Sequence, residues 1–194
     1  MPSFVSSAKP SVKKWGTEKV PGSVTPHSKS EKRLLVWCAF LVFFSVLFDQ
    51  GTKLLIQGTM PLHSTIEVVP GWFNITYVRN LGAAWSMLSG FSWLLLTFGV
   101  AAGIVILIFF RRWCEGFPER YCALALIEGG IIGNSIDRLW HGSVIDFIHV
   151  HYYEVYHYPV FNIADCAICI GVTLFVISNL FRSPKKESAE TVQE

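Results

Sequence analysis

Four stretches of this chain stay apolar for long enough to form membrane-crossing helices, and the polar residues inside them fall at recurring places. Residues 34–56 are apolar as far as Phe48, turn to Asp49-Gln-Gly-Thr-Lys53, and close on Leu-Leu-Ile. Residues 93–110 carry no charge and stop at Arg111-Arg112, whereas residues 121–140 interleave apolar side chains with Glu128, Asn134, Asp137 and Arg138. Residues 162–181 are apolar after Asp165 in what would be the first helical turn. A helix rises about 1.5 Å per residue against a hydrocarbon core of about 30 Å, so the pattern predicts four spans. Helical periodicity lapses over residues 57–91. There Ile66-Glu-Val-Val, Pro70-Gly71 and Trp72-Phe-Asn-Ile-Thr-Tyr-Val read as two short strands about a turn. This region has only Glu67 and Arg79 as charged residues, so it is read as a sheet lying on the membrane surface. Small residues beside Asn80, in Asn80-Leu-Gly82-Ala-Ala-Trp85, suit a backbone that something else approaches closely.

Composition agrees with lipid as the solvent. The 194 residues are 52% hydrophobic and 15% charged, against about a quarter charged in soluble domains. A net charge of +2, with no basic stripe interleaved with aromatics, excludes nucleic acid as a partner. Residues 1–33 lack hydrophobic period, are rich in Ser, Pro and Lys, and read as a disordered tail. No small-x-small cleavage site follows the first apolar run, so the tail is expected to stay attached. Seven Lys/Arg lie in that tail, three at positions 111, 112 and 120, and three at 182, 185 and 186, while the two remaining loops carry Arg79 alone. The positive-inside rule then makes both termini cytoplasmic and turns both of those loops outward. The five cysteines form no disulfide framework, and Cys166-x-x-Cys169 reads as two small buried residues one helical turn apart.

Against this background the acids stand out. A carboxylate at bilayer depth costs about 2.5 to 3.5 kcal/mol on insertion scales, yet Asp49, Asp137, Asp146 and Asp165 gather at the outer half of the predicted membrane. On one continuous helix Asp146 and Asp165 would be about 28 Å apart. Pro159 makes such a helix improbable, so the intervening segment turns back and brings both acids to similar depth. Two carboxylates about 3 Å apart share a proton, and one then acts as base while the other acts as acid. That division activates water and protonates a leaving amine, which is aspartic peptidase chemistry without a metal.

Asn134 before Asp137 and Asn162 before Asp165 each set an amide one turn from an acid, and Arg138 can hold a substrate carbonyl or pair with Asp137. Asp49 and Lys53, at i and i+4, either neutralise each other or prop up the site. Two other classes compete with the peptidase. One is a structural bundle fastened by polar glue; the other is a proton-coupled transporter, whose acids should be staggered across the bilayer. His149, His151 and His157 could ligate a metal, but no HExxH occurs, and they are read as surface histidines, with no metal or cofactor expected.

At these residues the chain resembles the lipoprotein signal peptidases, or type II signal peptidases, over most of its length. Four motifs carry the resemblance: Asp49-Gln-Gly-Thr-Lys53, Asn80-Leu-Gly-Ala-Ala-Trp85, Gly133-Asn-Ser-Ile-Asp-Arg138 continuing to Gly142-Ser-Val-Ile-Asp146-Phe147, and Phe161-Asn-Ile-Ala-Asp165. The resemblance implies an all-α membrane protein of four transmembrane helices with a small extracytoplasmic β-sheet, or cradle, and a periplasmic loop over the site. In domain terms this is a cytoplasmic tail (1–33), a peptidase domain (34–181) and a second cytoplasmic tail (182–194).

It further implies an aspartic endopeptidase of the bacterial inner membrane. Such an enzyme removes signal peptides from prolipoproteins by cutting before a diacylglyceryl-modified cysteine, and is open to globomycin-type cyclic peptide inhibitors. By motif position Asp146 and Asp165 are the implied catalytic pair. Asn80, Gly82, Asn134, Asp137, Arg138 and Asn162 form the implied substrate-binding and supporting shell, and Asp49 and Lys53 a polar brace. The long N-terminal tail and Glu128 in the third span depart from the family pattern.

Overall fold

The computed structural model describes residues 29–82 and 87–182. In chain order the elements are α1 (Lys29–Thr59), β1 (Thr65–Val69), β2 (Phe73–Asn80), α2 (Ser92–Cys114), α3 (Pro118–His141), β3 (Val144–Tyr152), β4 (Tyr156–His157) and α4 (Ile163–Phe181). Three of these helices, α1, α2 and α4, are long and apolar enough to cross a membrane. They expose large apolar side chains such as Trp37, Phe44, Phe98, Ile108 and Leu180, a surface suited to lipid and costly in water.

The remaining helix, α3, is more polar because of where it sits. It packs against each of the other three helices, and Arg120, Glu128, Asn134 and Asp137 are buried there. Its polar side chains therefore meet protein on three sides, away from the apolar surface that the other helices expose. At the end remote from the acids, Arg120 is fully buried: its Nε donates to Ser178 Oγ at 3.1 Å, and its guanidinium pairs with Glu115 and lies over the Phe117 ring. Glu128 lies against Gly103 of α2, where an added Cβ would come within 3.0 Å of its Oε1.

The α3–α4 contact is built on glycine. An added Cβ at Gly130 would collide with the Ala164 carbonyl and the Ile168 side chain; at Gly171 it would stand 2.6 Å from the Ala123 carbonyl oxygen and 2.7 Å from Ile127 Cγ1. Small residues let helix backbones approach closely where no hydrophobic drive separates protein from lipid. Gly171→Ala should therefore destabilise the bundle by about 1–3 kcal/mol. A thermal melt in detergent reads this as a lowered midpoint, and an unchanged midpoint would mean that this contact yields.

Three local features differ from the sequence expectation. Lys29–Arg33 are helical and open α1, where Glu31 in the first turn pairs with Arg111 of α2 at 3.4 Å. An acid suits the positive end of the helix dipole, so the helix extends beyond its apolar run. Arg111 and Arg112 lie inside α2, which ends only at the positive-φ pair Glu115 and Gly116. Most of the segment expected as a loop after α3 is strand instead, and the four strands form one antiparallel sheet in the order β1-β2-β3-β4. Residues 1–28 and 183–194, which hold most of both expected tails, lie outside the described residues.

Candidate active site

The α3–β3 junction positions the first acid. Gly142 caps α3 with φ of 66°, a left-handed turn that glycine adopts without strain, and its N–H donates to the Arg138 carbonyl. Three residues on, the Ile145 N–H donates to Asp137 Oδ2 at 3.0 Å, tying the start of β3 back to the last turns of α3. Asp146 follows, 2% exposed. β2 supplies its first partner. Asn80 pairs with Val144 across the sheet, so Asp146, two residues further along β3, lies on the same face, and Asn80 Nδ2 donates to Asp146 Oδ2 at 3.0 Å.

The second acid stands at the start of α4. Asn162 is the N-cap: its Oδ1 accepts the Asp165 N–H at 3.0 Å while its own N–H donates to Asp165 Oδ2 at 3.1 Å, a reciprocal capping box. Asn162 Nδ2, left free by this arrangement, donates to Asp146 Oδ1 at 2.6 Å. One fully buried asparagine thus touches both acids. Asn134 on α3 completes the ring, donating from Nδ2 to Asp165 Oδ1 at 2.7 Å and accepting Asn162 Nδ2 on its Oδ1 at 3.1 Å.

Behind this ring lies a second layer, on α1. Lys53 Nζ, 1% exposed, pairs with Asp49 Oδ2 at 2.8 Å and Asp137 Oδ2 at 2.9 Å and donates to Asn134 Oδ1 at 3.2 Å. Asp49 Oδ1 accepts the Ala164 N–H at 2.9 Å, satisfying one of the otherwise unpaired donors at the start of α4. Gly133 leaves the space this requires, since a Cβ there would come within 2.6 Å of Asp49 Oδ2. Both acids open on a cavity of about 540 Å³, lined among others by Asn80, Gly82, Arg138, Tyr158, Phe161 and Ile168. Burial, and then the neighbouring charge of Asp165, push the Asp146 carboxyl up to about 7, against the opposing pull of the Asn80 and Asn162 amides and of Lys53.

All ten residues singled out from the sequence as catalytic, supporting or bracing therefore lie in this cavity or in the layer behind it, but some pairings differ from expectation. Arg138 does not pair with Asp137; it donates to the carbonyls of Asn134 and Gly82, at 3.4 and 3.3 Å, because Lys53 already occupies Asp137. Gly82 in turn donates its N–H to Asn80 Oδ1 at 2.9 Å. Ala83 to Trp85, the rest of that motif, lie outside the described residues. Neither cysteine of the CxxC is buried as expected: Cys166 is half-buried, and Cys169 is exposed and lines the cavity, one turn beyond Asp165 on the same helix face.

His149, His151 and His157 do cluster, with ring centroids 5.2 to 5.4 Å apart, but His151 is buried where a surface residue was expected. Burial and its two histidine neighbours hold His149 below the usual imidazole pKa. Among the described residues no group of three or more His, Cys, Asp or Glu could hold a metal ion. Sequence reasoning missed Gln50, whose Nε2 donates to Asp137 Oδ1 at 2.9 Å, Gly133 O at 3.2 Å and Asp49 Oδ2 at 3.1 Å. Its place directly after Asp49 was the available signal.

Helices with apolar outer faces, closed around a largely buried ring of carboxylates and amides that opens on a cavity, define a membrane protein with an enzyme-like polar site. The profile described as signal peptidase (SPase) II matches residues 41–181. Among curated relatives, a lipoprotein signal peptidase of Geobacter sulfurreducens is 45% identical over 149 residues, covering 75% of this chain and 92% of the relative. One from Bacillus velezensis is 41% identical over 147 residues, covering 76% and 95%. A solved bacterial membrane enzyme, determined by the in meso method at 2.3 Å, superposes with a TM-score of 0.71 at 35% identity over 79% of this chain and 93% of its own. The chain belongs to the signal peptidase II family, the lipoprotein signal peptidases.

Proposed function

We propose that this protein is an intramembrane aspartic endopeptidase that removes signal peptides from bacterial prolipoproteins, cutting before the diacylglyceryl-modified cysteine. In this reading α3 is the fourth span, both termini are cytoplasmic, and the sheet and the cavity face the outer side of the inner membrane. The observation that carries the reading is the sharing of Asn162 between the buried Asp146 and the half-buried Asp165, which fastens the two carboxyls beside one amide at the cavity wall.

The chemistry follows from that pair. Asp146, whose carboxyl is pushed up to about 7, takes the part of the acid, and Asp165 that of the base. Asp165 takes a proton from water as the water attacks the scissile carbonyl; Asp146 gives its proton to the carbonyl oxygen, and the pair later protonates the leaving amine. The carbonyls of Gly82 and Asn134 hold the Arg138 guanidinium at the cavity wall, where it can meet a peptide carbonyl. No resident metal enters any step.

Raising the pH through about 7 removes the shared proton and leaves two adjacent negative charges without an acid. The profile of kcat/KM should therefore fall on its alkaline side near pH 7, and a plateau extending to pH 9 would count against the assignment of the proton to Asp146. Stability has the same sign. The folded carboxyl binds its proton more tightly than the unfolded one, so this contribution is full below about pH 4 and is lost as the pH rises through about 7.

The function itself is tested by incubating purified protein, in lipid and with a chelator present, with a diacylglyceryl-modified precursor. Mass spectrometry should find a product beginning at the modified cysteine. An intact precursor would refute the reading, and cleavage that chelator abolishes and zinc restores would refute the metal-free mechanism.

A further inference from the structure

The amides around the two acids can work only if each points the right way, because a side-chain amide presents an acceptor at one end and two donors at the other. Asn162 is oriented by the backbone: the Asp165 N–H demands its oxygen, so its NH₂ must face Asp146. Asn134 has no such tie. Its Oδ1 accepts from Lys53 Nζ at 3.2 Å and from Asn162 Nδ2 at 3.1 Å, and its Nδ2 donates to Asp165 Oδ1 at 2.7 Å. An ammonium has three donors and no acceptor, so reversing Asn134 would set donor against donor at Lys53 and acceptor against carboxylate at Asp165.

Resting on the aspartic peptidase reading above, we propose that Lys53 is a positioning residue for catalysis, acting through Asn134. Its buried ammonium fixes the amide so that its NH₂ is always delivered to Asp165. The two acids around Lys53 are what keep the ammonium in place. Asp49 and Asp137 hold it at 2.8 and 2.9 Å, and each is also tied to a backbone N–H next to a member of the pair, Ala164 beside Asp165 and Ile145 beside Asp146. The layer behind the ring is therefore a jig: the same three charges set the backbone on which both acids stand and the direction of the amide between them.

A structural brace alone would make a different prediction. Losing a brace lowers the amount of folded enzyme while leaving the properties of each folded molecule unchanged. Losing the orienting charge changes the folded molecules: only the neutral Asn162 amide is left to orient the donor to Asp165, and Asp146 loses a positive charge that pulls its carboxyl down.

Lys53→Met by itself strands Asp49 and Asp137 and can fail to fold. The decisive variant is therefore Asp49→Asn with Lys53→Met, which keeps the net charge of the layer. It also retains a side-chain oxygen for Ala164, and leaves Asp137 its bonds to Gln50 and Ile145. Asp49→Asn alone, which keeps Lys53 and its bond to Asn134, is the reference.

In full-length enzyme in lipid, with the folded fraction measured by size exclusion and thermal melting, the double variant is expected to fold. Relative to the reference, its kcat should fall at least 100-fold with KM within about threefold, and the alkaline limb of kcat/KM should move to higher pH. A folded double variant with the reference's kcat and pH profile would overturn the proposal, as would activity lost only in proportion to folded protein. Failure of the double variant to fold moves the test to Asn134→Asp, which keeps Lys53 but offers Asp165 only acceptors whichever way it turns: a kcat and pH profile there unchanged from the unsubstituted enzyme would equally overturn it. Activity surviving in Asp146→Asn or Asp165→Asn would instead overturn the underlying peptidase reading.

Discussion

Replacing either Asp146 or Asp165 by Asn is expected to cut kcat/KM by at least about 10⁴-fold while the protein remains folded and inserted. Base and acid act within one cycle, so losing one should cost nearly as much as losing both, and the double variant should be little worse than either single one. Folding should survive, because the cost at Asp146 is limited. An Asn there sets its NH₂ against the donor of Asn80 or Asn162, a mismatch worth about 1–3 kcal/mol, and also removes a buried carboxyl. A thermal melt near pH 8 should therefore show a modest shift beside a near-complete loss of turnover. Substantial turnover by either single variant, or two losses that multiply in the double, would remove the grounds for a shared-proton pair.

The second large effect concerns the substrate. A precursor carrying diacylglyceryl on its cysteine should be cleaved about 10³-fold more efficiently, in kcat/KM, than the same peptide with a free thiol. The cavity adjoins the lipid-facing side of α4: Ile168 and Cys169 line it, and Ile170 and Val172 beyond them are exposed to the apolar surroundings. Acyl chains on the residue after the cut can then stay in lipid alongside α4 while the peptide bond enters the cavity. Each buried CH₂ contributes about 0.8 kcal/mol, and binding energy far from the reacting bond can be used for positioning, so the gain should appear in kcat as well as KM. Equal cleavage of the two peptides in one lipid preparation would point instead to a general intramembrane peptidase.

How far the sequence reaches depends on whether a feature is local. The two strands around Pro70-Gly71 and the acid in the first turn of α4 follow from side-chain period and turn chemistry within a few residues, and β1, β2 and α4 lie where those signals put them. β3 was missed because Pro159 and a run of histidines and tyrosines suggested a loop. The signal against a loop was Val144-Ile145-Asp146-Phe147-Ile148, β-branched and aromatic enough for a strand, but a strand needs a partner, and its partner β2 lies some seventy residues earlier.

The polar layer was half legible for the same reason. The Asp49–Lys53 pair is an i,i+4 relation within one helix, whereas Lys53 with Asp137, and Gln50 with Gly133, join helices far apart in the chain. With Asp137 available on paper, Arg138 beside it was an equally good candidate partner. Only packing decides that Lys53 reaches Asp137 first and leaves Arg138 to the carbonyls at the cavity wall. The polarity of α3 was legible residue by residue, but its place at the centre of the bundle, packed against the other three helices, is a tertiary fact with no local code.

The central claim is that Asp146 and Asp165 work as one unit on one water. It is tested most directly by an experimental structure of the full-length protein, in lipid, with a substrate peptide whose scissile bond is replaced by a hydroxyl-bearing, non-cleavable carbon mimicking the tetrahedral intermediate. The account predicts that hydroxyl between the two carboxyls, within hydrogen-bond reach, about 2.6–3.2 Å, of both Asp146 and Asp165. A hydroxyl seated away from the pair, or carboxyls more than about 8 Å apart around a correctly bound peptide, would contradict it.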